Sequence, residues 1–327
     1  MTPIALRDPY GEAPDTAVWV KGQLHCHTSR SFDGRMSVEE VAAAYLRHGF
    51  DFVCVTDHDR LWDRLEWHDG LLLVPGEEST LARPFPPLGR HLLRLFTTEP
   101  VPLLAPAADK MERTAGAGGL LAAAHPAWSG NLGTGRWSVE ALRDPRLSLV
   151  EIVNHHAPTS ANLALWDAAL ASRGPDAPLW ATAVDDSHRP EQVGRGWVWV
   201  RVGRPLRDYA SPQEAAGALR SSLARGAFYA STGVRASFSA ATASGRPEVR
   251  VTVGREGMDR RPPVVRFFGR GGRALAESEG WEALYPVRGD EGYVRVEVEG
   301  DGRSRAWSQP FWVLPAAAPR SWEEASR

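Results

Sequence analysis

Three features of the 327-residue chain predict an α/β fold followed by a small all-β region. From Val18 to about Gly203, short apolar runs alternate with helix-like stretches, the rhythm of an α/β barrel or a doubly wound sheet. Histidines and carboxylates gather just past the ends of those runs, where parallel α/β folds keep ligand and catalytic groups. After Gly233 the helical period stops, and segments rich in Gly, Arg and Val alternate with a period of two.

The strand candidates are "VWVKGQLH", "FDFVCVTDH", "LLLVPGEE", "LLRLF", "GLLAAAHP", "SLVEIVNHH", "LWATAVDDSH" and "GWVWVRV". They are short and continuously apolar, as buried parallel strands tend to be. Ser37 to His48 reads as a helix, with Ser37 and Glu40 as a capping box and Gly49 as the stop. A second helix is expected over Ala161 to Ser172. A third has Ser211 as N-cap, Pro212 in the first turn and Gly226 at the end. "PEVRVTV", "PVVRFFG" and "YVRVEVEG" are half-buried strand patterns. The expected division is an α/β domain over 1–233, a β-sandwich-like domain over 234–315 and a loosely ordered tail over 316–327.

A formal net charge of −2 gives no overall basic balance, so no strong nucleic-acid signature is present. No apolar run is long enough to span a bilayer, and "MTPIALRDPYGEAPD" lacks the basic start and apolar core of a signal peptide. The only two cysteines, Cys26 and Cys54, fall inside predicted strands and read as buried reduced thiols. A cytoplasmic protein is expected. Nothing in the sequence sets an oligomeric state.

Side chains alternate along a strand, so His25 and His27 share one side and Cys26 takes the other. Two adjacent imidazoles suit a metal better than a core. The theme recurs at Asp57 and His58, at Glu77 and Glu78, at His91, at His125, and at Asp185, Asp186 and His188. Any one of these is ordinarily a satisfied core histidine or a capping carboxylate. The ordered set, holding six of the ten histidines, predicts a metal site.

The set resembles the PHP superfamily, the polymerase and histidinol phosphatase domain, over about Val18 to Gly233. HxH is His25/His27, the glutamate is Glu77 in "PGEE", the middle histidine is His125 in "AHP", and DxH is Asp186/His188. The resemblance implies a distorted (β/α)7 barrel with two or three divalent ions (Mn, Zn or Fe) in its mouth. It implies His25, His27, Glu77 and Asp186 around the first ion, and Glu77, His91 and His125 around the second. Asp33, His58 and His188 would hold the third, with Asp33 where relatives often have histidine. "RPEQVGRGWVWVRV", "ALRSSLARGAFYASTG" and "AWSQPFWVL" are similar to the branch containing carbaryl hydrolase, the CehA/McbA-like metallohydrolases. That branch carries an appended β domain.

Paired divalent ions make a shared water acidic enough to supply hydroxide near neutral pH, so no serine or cysteine nucleophile is needed. No G-x-S-x-G motif is present. Three ligand carboxylates against two or three such ions leave a positive cluster, which favours a small anionic, phosphorylated substrate. Arg30, Arg60, Arg189 and Arg195 lie near the motifs, with Arg30 and Arg195 the candidates to hold phosphate oxygens. Asp57 is a candidate to orient a ligand imidazole. His155 and His156 are candidate general acids, and Trp62 and Trp128 candidate pocket walls. The expected activity is a metal-dependent phosphoesterase. The alternatives are a carbamate, ester or amide hydrolase with the same cluster, or a binding protein with a vestigial site.

Overall fold

The structure, a computed structural model, describes residues 4–11, 16–84, 87–243, 245–256 and 261–315. The tail over 316–327 lies outside the described residues.

The fold is mixed α/β. Strand Val18–Gln23 lies parallel to Phe52–Cys54, which lies parallel to Leu71–Val74. Pro75 then passes the chain into Gly76–Thr80, the edge of a second, five-stranded sheet. In that sheet Leu120–Ala123, Leu149–Val153 and Trp180–Ala183 run parallel. His91–Leu95 runs antiparallel to both Leu120–Ala123 and Gly76–Thr80. The expected all-parallel arrangement therefore does not form, and the hydrogen-bonded strands do not close into a ring among the described residues. The reversal has a consequence for the site. His91 begins an antiparallel strand, so it reaches the rim that the parallel strands reach with their C-terminal ends.

Local signals set the helices. Helix Val38–Arg47 starts on a capping box: Glu40 N–H donates to Ser37 Oγ (3.2 Å), and Ser37 N–H to Glu40 Oε2 (2.8 Å). Helix Pro212–Arg225 starts on Ser211 and ends at Gly226, whose φ of 83° is left-handed and whose Cβ would strike the Trp180 ring at 2.9 Å. Helix Thr159–Leu170 matches the second predicted segment, Ala161 to Ser172, with both ends two residues earlier. Helix Ala107–Gly116 was not legible; its N-cap is Pro106, with no side-chain cap.

After Gly233 the described chain is strands joined by turns and one short 3-10 segment. Ala236–Ala243, Arg246–Val253 and Glu282–Pro286 form a sheet of their own, while the remaining strands join a sheet with the front of the chain. Arg305–Trp307 pairs with Phe228–Ser231, and Phe311–Pro315 pairs with Ile4–Arg7. Residues from both sides of position 233, among them Leu121, Ile152, Trp166, Tyr293, Trp307 and Trp312, pack in one apolar cluster.

Candidate metal centre

The centre forms where strand ends converge. His25 and His27 follow Val18–Gln23, His58 follows Phe52–Cys54, and Glu78 lies within Gly76–Thr80. His125 follows Leu120–Ala123, His156 follows Leu149–Val153, and Asp186 and His188 follow Trp180–Ala183. His125 (φ 27°) and Asp186 (φ 51°) hold left-handed backbones without being glycine, strain of the kind that clusters at functional sites.

Glu78 occupies the middle. Its Oε2 lies 3.2 Å from His25 Nε2, 3.2 Å from His27 Nε2 and 3.0 Å from His58 Nδ1. Its Oε1 lies 2.8 Å from His91 Nδ1 and 3.1 Å from His125 Nε2. Asp186 Oδ1 approaches His25 Nε2 (3.2 Å) and His27 Nε2 (3.1 Å). Asp33 Oδ2 faces His188 Nε2 (3.2 Å) and His58 Nε2 (3.4 Å). His25, His27, His91, His125, Glu78 and Asp186 are all buried.

Glu77, expected to bridge the ions, is not among these groups. It sits opposite Arg94 in the antiparallel register, so the two side chains share the far face of the sheet. Arg94 Nη1 donates to Glu77 Oε2 at 2.9 Å, and Ser79 Oγ donates to Glu77 Oε1. Glu78, one residue on, takes the near face with His91. A one-residue step inverts the side, which is the whole of the correction.

Two further groups escaped the sequence reading. Buried Glu151 Oε1 accepts from His25 Nδ1 at 2.6 Å, while its Oε2 accepts from the His125 N–H (2.6 Å) and Asn154 Nδ2 (2.8 Å). Asn154 Nδ2 also reaches Asp186 Oδ2 at 3.1 Å. One carboxylate thus positions three members of the centre. A charge inside the apolar run "LVEIV" was the available signal, because a buried charge demands a built environment.

The donor set fits divalent cations. With Nδ1 of His25 engaged by Glu151 and Nδ1 of His27 by Ser31 Oγ (3.0 Å), both Nε2 atoms turn to one point, 3.1 Å apart. Two imidazole nitrogens aimed at each other repel unless a proton or a cation lies between them. Asp33 Oδ1, His91 Nε2 and His125 Nδ1 are buried without a hydrogen-bond partner. Four close groupings of ligand atoms result among the described residues: His25, His27, Glu78 and Asp186; His58, Glu78 and His91; His27, Asp33, His58 and His188; and His155, His156 and Asp186. Imidazole with carboxylate suits Mn, Fe or Zn.

Electrostatics follow the same pattern. Burial alone would raise Glu78, but His58, His25 and His91 hold its carboxyl well below the usual range. Asp186 behaves likewise, with burial outweighed by His25 and His27. Burial also opposes Asp33, yet hydrogen bonds from His188 and His58 hold it low. Burial lowers His156 to about 4, so its imidazole is unprotonated near neutral pH.

The centre opens into a cavity of about 230 Å³, lined by Asp33, His58, His91, His125, His156, Asp186, His188, Phe32, Trp128 and Asn131. Arg30 and Arg195 do not line it. Arg30 is exposed, donates to Leu61 O (3.2 Å) and lies over the Trp62 ring at 5.4 Å. Arg195 is exposed, donates to Glu191 O (3.2 Å) and faces a different cleft, with Arg303 and Arg305. Arg60 and Arg189 are exposed outside the cavity. His156 faces the cavity, its Nε2 3.4 Å from Asp186 Oδ2. His155 does not; it packs on the His156 ring and points Nδ1 at Asp185 O (3.0 Å). Trp62 is buried elsewhere. Asp57 orients no imidazole. It fastens the turn after His27, accepting from Thr28 N–H (2.7 Å) and Thr28 Oγ1 (2.8 Å).

Two solved structures align with part of this chain. A candidate metal-dependent phosphoesterase from Bifidobacterium adolescentis aligns over 55% of this chain and 90% of its own, at 17% identity and a TM-score of 0.40. An amidohydrolase from Chromobacterium violaceum, with bound sulfate and no metal, aligns over 51% and 87%, at 14% identity and a TM-score of 0.37. No curated protein matches the chain. Residues 23–83 match the PHP domain family, and that segment contributes His25, His27, Asp33, His58 and Glu78 to the centre.

Proposed function

We propose that the centre hydrolyses a small phosphomonoester or phosphodiester. The enzyme class, a metal-dependent hydrolase of the PHP type, rests on the domain match and the ligand set. The observation that carries it is Glu78, whose two oxygens face separate imidazole groups, as a carboxylate shared between cations does. His25, His27, Glu78 and Asp186 would hold one ion, Glu78, His91 and His125 a second, and Asp33, His58 and His188 a third. When bound, Mn, Zn or Fe supplies an acidified water and a counter-charge for the leaving oxygen.

The chain's own residues do the rest. Glu151 fixes the His25 tautomer, and Ser31 holds the His27 ring. His156 faces the cavity with Nε2 3.4 Å from Asp186 Oδ2, and we keep it as the proton-transfer group expected from sequence. Three carboxylates, Asp33, Glu78 and Asp186, against two or three divalent ions leave net positive charge, which favours a persistent anion.

A second reading, a carbamate, ester or amide hydrolase, is favoured by one observation: among the described residues no arginine or lysine lines the cavity. A hydrolysis panel of phosphate and carbamate esters with Mn, Zn and Fe separates the two. Faster phosphate-ester turnover supports the first reading; faster carbamate turnover with every metal reverses the order.

The finer assignments stand as proposals. We read the strands around the centre as a distorted (β/α)7 barrel, the strands after 233 as a β domain docked on it, and the chain as CehA/McbA-like. Two buried free thiols, Cys26 and Cys54, support a reducing cytoplasm. No helix among the described residues is long and apolar enough to cross a membrane.

A further inference from the structure

The cavity is asymmetric in chemistry. Its floor is the cluster of imidazoles and carboxylates, and its outer walls include two aromatic rings that the reaction does not need. Phe32 is 71% exposed, an unusual place for a phenyl group, and lies flat over His58 with centroids 5.1 Å apart at 23°. Trp128 also lines the cavity, against different imidazoles: 4.8 Å from the His125 ring, 5.1 Å from His91 and 5.6 Å from His156.

The loop carrying Trp128 is built rigidly. Gly130 and Gly135 are so close that a Cβ on Gly130 would meet Gly135 Cα at 2.5 Å. Gly135 N–H donates to Ser129 O (2.8 Å), and Trp137 N–H to Pro126 O (2.9 Å). The loop is tied across to Gly89, whose N–H donates to Thr134 Oγ1 at 2.8 Å. Leu132 is held there at φ 54° and 87% exposed, a strained apolar residue next to Asn131 of the cavity wall. Among the described residues no arginine or lysine lines the cavity, so its walls hold no fixed cationic side chain for a second anionic group on a substrate.

We infer that Phe32 and Trp128 form an aromatic slot selecting substrates whose group beyond the scissile bond is a planar aromatic ring, not a sugar phosphate or a polyanion. This rests on the hydrolase reading of the centre and names its substrate class. The anionic end sits on the floor, and the ring enters between the two side chains. Offset or edge contacts with aromatic walls favour a flat ring over an alkyl group of similar charge.

The two phosphonates are non-hydrolysable, which removes leaving-group chemistry from their comparison; phenyl carbamate, which the second reading would cleave, is followed as heat of binding or of turnover. Binding of phenylphosphonate, methylphosphonate and phenyl carbamate to the full, Mn-loaded chain is measured by calorimetry. Phenylphosphonate is expected to bind about tenfold tighter than methylphosphonate. Phe32→Ala and Trp128→Leu should each narrow that gap by about three- to tenfold while leaving methylphosphonate affinity in place. Exposed Phe32 makes the first variant safe for folding, and circular dichroism checks the second. Equal binding of the two phosphonates, or equal weakening of both in the variants, overturns the slot. If only phenyl carbamate binds and the variants weaken it, the slot stands and the phosphoester reading falls. If no aryl ligand binds, the slot is overturned.

Discussion

Glu77 and Glu78 are chemically identical neighbours placed in opposite surroundings. Glu78 meets five imidazoles, whereas Glu77 meets Arg94. Glu78→Gln removes a charge and a shared oxygen from the centre, so metal content and activity are both expected to collapse, by elemental analysis and assay. Glu77→Gln should keep the metal but leave Arg94 buried without its counter-charge, costing about 3–5 kcal/mol in a denaturant titration. The sequence showed the pair without showing the choice, because strand parity depends on where pairing begins. Arg94 inside "HLLRLF" was the clue, since a buried guanidinium requires a carboxylate on its own face. Glu151 was hidden for another reason: it touches no substrate space and acts only through His25, His125 and Asn154. Glu151→Gln is expected to weaken metal affinity about ten- to a hundredfold in a competition titration with a chelator, with the fold retained.

At the scale of elements, the turn from Thr28 to Met36 connects HxH to Asp33. Ser29 N–H donates to Met36 O (2.6 Å), and Arg35 N–H to His188 O (2.9 Å). Gly34 closes this turn so tightly that a Cβ would sit 2.0 Å from the Thr28 carbonyl oxygen. Gly34→Ala should cost about 1–3 kcal/mol and displace Asp33, seen as a lowered melting temperature with reduced occupancy of the third metal position. Lys21, on strand Val18–Gln23, makes a pH-dependent contribution. Its ammonium donates to His48 O (2.9 Å) between the Phe50 and Trp197 rings, and burial lowers it to about 8, against the pull of Asp185 and Asp51. Between pH 8 and about 10.4 the unfolded chain holds this proton and the folded chain does not, so stability rises with pH across that window. Relative to Lys21→Met, the parent should gain stability as pH climbs from 8 to 10; a flat difference would show the burial to be relieved. Helices with polar caps, such as Val38–Arg47 and Pro212–Arg225, were legible from sequence because capping is local. The antiparallel His91 strand was not legible, since direction depends on how the chain crosses the sheet.

Over the whole molecule, the strands after Gly233 are bonded into the framework that holds the centre. Arg295 donates to both oxygens of Asp167 (2.8 and 2.7 Å) from between the Trp166 and Phe268 rings, and Asp167 lies on the helix following His156. Gln309 brackets Ala181 of the Asp186 strand, accepting from its N–H and donating to its carbonyl (both 2.8 Å). Asp167→Ala is expected to lower stability by about 3–5 kcal/mol, read by chemical denaturation, because Arg295 then stays buried alone. A chain cut at 233 should lose folding cooperativity as well, since strand Phe228–Ser231 would lose a partner. The change of periodicity after Gly233 was visible in sequence; that the two regions share a sheet was not, because β pairing between distant segments leaves no local trace. The central proposal is a polynuclear centre in which Glu78 would be shared between ions. Its most direct test is the metal stoichiometry of the full chain reconstituted with Mn, Zn or Fe, measured beside Glu78→Gln. Two or more ions per parent chain, falling below one in the variant, are expected; no retained ion, or an unchanged count in Glu78→Gln, would contradict it.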